Sequence, residues 1–154
     1  MKKLLLSSFL LALCFFVNAQ EKKINPNYDE ALAKKNGAEE NGMKMYVLVI
    51  LKTGTNTTAT KKETDSLFKG HMDNISRLVK LNKLVVAGPL GKNDKTYRGI
   101  FILNTKSIDE AKALLATDPA FNSKLLDAEI MNWYGSAALA EYLPAEDKIW
   151  KARY

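Results

Sequence analysis

The chain has 154 residues, of which 47% are apolar and 26% are charged, and its formal net charge is +6. This length suits one domain that is large enough to bury a core of its own. The positive charge comes from scattered lysines and not from an arginine-rich stripe with interleaved aromatic residues, so nucleic-acid binding is not expected.

The first 19 residues are typical of a secretory signal peptide. Two lysines precede an apolar run from residue 4 to 17, which is long enough for a signal but too short to span a bilayer. Val17-Asn18-Ala19 matches the small-x-small cleavage pattern and predicts a mature chain that begins at Gln20. Cys14 lies inside the apolar run, so no lipid or membrane anchor is expected after processing. The protein is therefore predicted to be periplasmic or secreted.

Cleavage would change what can stabilise the protein. Removing the first 19 of the 154 residues would leave 135, with 21 basic and 17 acidic residues, because only two lysines are lost. The single cysteine is lost with the signal, so no disulfide can form despite an oxidising compartment. Stability must then come from an apolar core or from oligomerisation.

The mature chain is predicted to alternate strands and helices. Residues 20–42 form an N-terminal extension with a short helix, which Asn27 would cap and Gly37 would end. Four strands follow, at residues 43–51, 83–90, 97–104 and within 125–134. Two helices are expected among them, and each begins with a capping box. The first, with Thr60 and Glu63, runs to about Leu81; the second, with Ser107 and Glu110, ends near Asp118 because Pro119 follows.

The order βαββαβ predicts a ferredoxin-like α+β fold, a four-stranded antiparallel sheet with two helices on one face. The domain would span residues 43–135. A short helix at 136–143 and a loosely held tail from Asp147 to Tyr154 would complete the C-terminal segment, 136–154. The strands at 43–51 and 97–103 are apolar on both faces, whereas two helices can cover only one. The second face therefore predicts a homodimer with two sheets packed face to face.

One titratable residue lies within an apolar helical stripe. His71 is the only histidine, and it accompanies apolar residues at helical spacing: Phe68, Met72, Ile75, Leu78 and Val79. A mature chain with one histidine and no cysteine offers no typical zinc ligand set, so no metal site is predicted. Motifs of the forms HExxH, G-x-S-x-G and CxxC are absent from the sequence.

Several segments together resemble the YCII-related (YciI-like) domain family. They span about Met43 to Tyr134 and occur in family order: MYVLVILK, GHMDNI, VVAGPL, YRGIFIL, SIDEAKALLATDP and EIMNWY. The resemblance implies a dimeric α/β barrel whose active site pairs a helix histidine with the aspartate of an Asp-Pro motif. These correspond to His71 and Asp118. The family often carries a second histidine beside the first, where this chain has Gly70 or Met72.

The topology supports the same pair. The two helices run antiparallel on one side of the sheet, with His71 in the first half of one and Asp118 at the end of the other. A contact between them is therefore expected. No cofactor is predicted, although related barrels can offer a histidine to haem iron.

Two functions remain open from the sequence. One is a small-molecule enzyme with a His–Asp acid/base pair, catalysing lyase-like proton transfer of the type that, in the family, removes halide from a chlorinated hydroxylated aromatic compound. The other is a non-catalytic ligand-binding or structural dimer. The candidate ligand-binding residues are Tyr46, Gly88, Pro89, Phe101 and Trp133; the aromatic ones also suit a core or an interface.

Overall fold

The computed structural model describes residues 24–151. The signal peptide predicted at 1–19, the start of the N-terminal extension and the last three residues of the predicted tail lie outside this range. Within residues 24–151, no helix is both long and apolar enough to cross a lipid bilayer.

Four antiparallel strands form one sheet with the spatial order β2-β3-β1-β4. The strands are β1 (Met43–Thr53), β2 (Leu84–Pro89), β3 (Tyr97–Leu103) and β4 (Leu126–Ser136). β1 is a central strand that pairs with β3 on one side and along its whole length with β4 on the other. This position explains why β1 is apolar on both faces. The predicted ferredoxin-like α+β fold is confirmed.

Five α-helices and a 3-10 helix accompany the described sheet. They are α1 (Glu30–Asn36), α2 (Lys61–Lys80), α3 (Ile108–Leu115), α4 (Pro119–Asn122), the 3-10 helix (Ala137–Tyr142) and α5 (Leu143–Ile149). One face of the sheet packs against α2, α3 and α4. The core between them contains Val47, Val49, Leu51, Leu78, Leu84, Phe101, Leu103, Ala111 and Leu115.

Of the two predicted capping boxes, one forms completely and the other only in part. Thr60 and Glu63 form the complete capping box at the start of α2. Ser107 caps α3 by accepting from the Glu110 amide, but the Glu110 carboxylate accepts from Lys83 and Thr105 instead of the Ser107 amide. The second predicted box is therefore only half formed, because Glu110 has partners from outside its own helix.

Both ends of the described chain differ from the prediction. Asp29, not Asn27, caps α1, because its Oδ1 accepts from the Leu32 amide at 2.9 Å. Gly37 ends the helix in the left-handed conformation, as predicted. The residues expected to begin a loose tail belong to α5, whose first turn contains Pro144. Proline is tolerated there because an amide in the first helical turn has no partner within the helix.

Within the described residues, the second face of the sheet is covered only in part. Tyr46, Val85 and Ile102 are buried there, and Leu139 and Ala140 of the 3-10 helix pack against them. Leu48 and its cross-strand neighbour Met131 lie farther along the same face and stay partly accessible. The C-terminal segment therefore covers part of the face that, from the sequence, was expected to pack against a second subunit.

Candidate active site

The contact predicted between His71 and Asp118 is present. Asp118 is completely buried, and His71 is 7% exposed. One carboxylate oxygen, Oδ2, lies 2.7 Å from His71 Nδ1, while Oδ1 accepts from the Ala120 amide at 2.9 Å and caps α4. Asp-Pro is therefore a structural unit, because the aspartate caps the short helix that begins at Pro119 and also holds an imidazole on α2.

Asp118 is held in its charged form. Burial acts to raise the pKa of this carboxyl, but hydrogen bonding and charge from His71, with further hydrogen bonds from Ala120 and Asn74, outweigh burial and lower it. An ionised carboxylate accepts hydrogen bonds only, which places the proton of a neutral imidazole on Nδ1. His71 Nε2 has no hydrogen-bond partner among residues 24–151, so its lone pair is available for proton transfer.

Acid should remove the stabilising effect of the Asp118 charge. Because the folded-state pKa is lower than the ordinary value of about 3.9, the contribution is complete above that pH and disappears as pH falls through the folded pKa. Below about pH 4, we expect the free energy of unfolding measured in urea to fall more steeply with decreasing pH for wild type than for Asp118→Asn. Glu63, Glu110 and Glu141 also have lowered pKa values but are common to both proteins, so parallel curves would contradict the expectation.

Two aromatic rings fix the orientation of the imidazole. Phe101 of β3 stacks on it with ring centroids 5.8 Å apart and an interplanar angle of 18°. Phe68, one turn earlier on α2, meets it edge-on at 6.0 Å. With Nδ1 bonded to Asp118, these rings leave His71 little freedom to rotate.

A polar network beside the pair was missed from the sequence. Asn74 is buried, its Nδ2 lies 3.5 Å from Asp118 Oδ2, and its Oδ1 accepts from Arg77 and Thr117. The sequence feature that could have revealed this network is the spacing of His71, Asn74 and Arg77, which recur every three residues. Met72 is 59% exposed and Phe68 40%, so the buried stripe of α2 is rotated from the predicted one towards the start of α4.

A cavity of about 520 Å³ lies beside His71, between α2 and the sheet. Its wall is mostly apolar, and Phe101, Gly88 and Pro89 line it together with His71. The structure brings these predicted residues together. It places Tyr46 and Trp133 elsewhere, packed against each other on the opposite face of the sheet with ring centroids 5.7 Å apart.

Two irregularities in strand pairing shape the cavity. Between β1 and β3 the register shifts by one residue, and Arg98 is the extra residue. Between β2 and β3 it shifts again, and Val85 is the extra residue. Such bulges re-aim side chains and are common beside active sites. Both extra residues line the cavity, and neither was predicted to do so.

The C-terminal segment contributes a further part of the cavity wall. Tyr142, Leu143 and Glu146 line the cavity, and the Tyr142 hydroxyl donates to the Val85 carbonyl oxygen. These residues come from beyond the predicted domain boundary at 135. In the part of the chain that is described, no group of three His, Cys, Asp or Glu residues is placed to hold a metal ion.

The model of the YCII-related domain matches residues 45–134, which is more than half of the chain, so the chain belongs to this family. A similar solved structure is 5-chloro-2-hydroxyhydroquinone dehydrochlorinase from Burkholderia phenoliruptrix in complex with 2,5-dihydroxybenzoquinone. The two sequences are 20% identical, and the match covers 56% of this chain and 92% of the other with a TM-score of 0.41. Comparison with curated proteins finds no match.

Proposed function

We propose that the protein is a small-molecule enzyme in which His71 transfers a proton and Asp118 orients it. The observation that carries the proposal is the 2.7 Å contact between His71 Nδ1 and a buried, charged carboxylate, on a histidine that lines a cavity. A purely structural pair would not need that cavity. The volume of about 520 Å³ lies within the usual range of about 300–1,000 Å³ for small-molecule sites.

The chemistry follows from the tautomer. With its proton on Nδ1, the imidazole takes a proton from a substrate carbon or hydroxyl group at Nε2, and Asp118 stabilises the imidazolium that results. In a lyase-like step, the electron pair of the broken bond forms a double bond and expels a leaving group. On a chlorinated hydroxylated aromatic compound, the reaction type that the family resemblance suggests, chloride leaves and His71 later returns its proton to water.

The test is turnover of a panel of hydroxylated and halogenated aromatic compounds by wild type and His71→Ala. We expect loss of the base to lower kcat/KM by about 10²–10⁴-fold. Asp73→Asn, an exposed substitution on the same helix, is the matched control and should leave turnover unchanged. If wild type binds members of the panel without converting any, the non-catalytic ligand-binding module is correct instead.

We also propose that the protein is exported through a cleavable signal peptide. The support is the basic start, the apolar run and the small-x-small site in the first 19 residues. Protein recovered from the periplasm or medium of an expressing bacterium should have an intact mass that begins at Gln20, with or without cyclisation to pyroglutamate. Recovery of the full-length chain in the membrane fraction would contradict this proposal.

We further propose a homodimer that uses the uncovered part of the second sheet face. Met131 is 39% exposed there, and Leu48 beside it is half-buried. Light scattering at micromolar concentration should give twice the monomer mass for wild type and the monomer mass for Met131→Lys, because the new charge would be buried without a partner. Leu81→Lys, at the end of α2, should stay dimeric. A wild-type monomer would refute the dimer.

A further inference from the structure

We infer that Arg98 recognises an anionic oxygen of the substrate, so that the site takes small aromatic carboxylates or phenolates. This inference rests on the proposed function and names its substrate class. Among residues 24–151, Arg98 is the only lysine or arginine that lines the cavity, and it shares that cavity with His71. A single fixed cation in an apolar wall is the arrangement by which ligand sites set orientation and specificity.

The backbone directs Arg98 to this position. It is the residue that the β1–β3 register shift leaves unpaired, and it follows Tyr97, which pairs with Lys52. Tyr97 contacts Glu129, so its side chain takes the opposite face. The bulge therefore shifts the alternation by one residue, so that Tyr97 takes the face of Ile100 and Ile102 and Arg98 can line the cavity on the other face. Without it, regular alternation along β3 would place Arg98 on the same face as Ile100 and Ile102.

The guanidinium is anchored at one end and available at the other. Its Nε donates to Thr53 Oγ1 at 2.7 Å, which anchors that end of the guanidinium. No further hydrogen bond and no ion pair joins the Arg98 side chain to a residue between 24 and 151. Both Nη atoms can therefore bind a carboxylate or phenolate, and a carboxylate can accept two parallel bonds.

The rest of the wall restricts the ligand. Phe101, Ile75 and Val79 offer apolar surface suited to an aromatic ring, and the cavity of about 520 Å³ holds a compound of drug-fragment size. In the described part of the chain, Glu146 of α5 is the only carboxylate in the wall. Its negative charge disfavours a second negative charge in the ligand, so a monoanion is the preferred ligand.

Binding of benzoate and of its uncharged isostere benzamide tests this inference. Calorimetry and chemical-shift mapping of the Gly99 amide should show wild type binding benzoate more tightly than benzamide. In Arg98→Gln, the affinity for benzoate should fall by about tenfold or more, which is the scale of a charge-assisted bidentate contact. The affinity for benzamide should change by less than about twofold. Circular dichroism of the variant checks that the exposed substitution leaves the fold intact.

Two variants of neighbouring charge serve as controls. Lys92→Gln removes a positive charge from the loop between β2 and β3, outside the cavity, and should leave benzoate binding unchanged. Glu146→Gln removes the cavity carboxylate and should strengthen benzoate binding. Equal losses of benzoate affinity in Arg98→Gln and Lys92→Gln would overturn the inference, because they would indicate an effect of the overall positive charge and not of a direct contact. It would also be overturned if wild type had no preference for benzoate or bound neither probe.

The outcome is separable from that of the proposed function. His71→Ala should keep the preference for benzoate while it loses turnover. If no compound is converted but Arg98 controls benzoate binding, only the acid–base proposal fails. If His71-dependent turnover persists with no role for Arg98, only the present inference fails.

Discussion

Asp118→Asn is expected to lower kcat by about 10²–10⁴-fold while the fold remains intact, because it changes which imidazole nitrogen carries the proton. Asparagine keeps the shape of aspartate, and its Oδ1 can still accept from the Ala120 amide and cap α4. Its Nδ2 then occupies the place of the oxygen that lies 2.7 Å from His71 Nδ1. An amide that donates there favours the imidazole with its proton on Nε2, which cannot act as the base.

The nitrogen-15 resonances of the His71 ring would report this change directly. Wild type should show a protonated Nδ1 in the neutral form, and Asp118→Asn a protonated Nε2. As a matched control, Asp127→Asn removes an exposed carboxylate on β4 and should alter neither the resonances nor kcat. Unchanged turnover in Asp118→Asn despite the altered tautomer would remove His71 from the chemistry.

Gly70→Ala is expected to destabilise the protein by about 1–3 kcal/mol, although alanine is the better helix former by about 1 kcal/mol. A Cβ at position 70 would lie 2.8 Å from Cγ of Pro119. The proline ring cannot rotate away, so α4 would have to move away from α2. Because Asp118 directly precedes that proline and caps α4, its contact with His71 should lengthen and kcat should fall as well.

Gly91→Ala provides the comparison for this substitution. Position 91 has open space where a Cβ would go, so the change should leave the free energy of unfolding nearly unaltered. Chemical denaturation and turnover should be measured on both variants. A Gly70→Ala protein that gains about 1 kcal/mol, as helix propensity alone predicts, and keeps its activity would show that the two helices are not closely packed at this point.

Much of the fold could be predicted from the sequence because local signals and tertiary structure agree. The double-sided apolar pattern of β1, the Thr60–Glu63 box and the stop at Gly37 are short-range features, and each occurs in the structure. His71 and Asp118 could be paired because helix direction in a βαββαβ unit fixes which ends meet.

The rest of the site depends on information that periodicity does not contain. Arg98 lines the cavity only because of a one-residue register shift, which depends on how two strands pair and not on either strand alone. Asn74 is buried because Asp118 and Thr117 offer it hydrogen bonds from another part of the chain. Tyr142 reaches the cavity through a segment whose own sequence shows only a short helix and a proline.

The hydrogen bond between Tyr142 and Val85 affects which part of the chain should be expressed. β2 is an edge strand, and unpaired carbonyl and amide groups on such an edge invite pairing with other chains and aggregation. Here the edge is short, interrupted at Val85, closed by Pro89 and covered at one carbonyl by the Tyr142 hydroxyl. A fragment ending at residue 134, where the family match ends, would lose that cover and expose Tyr46 and Ile102. The minimal family domain of this chain is therefore a poor unit for expression, and residues 137–149 should be retained.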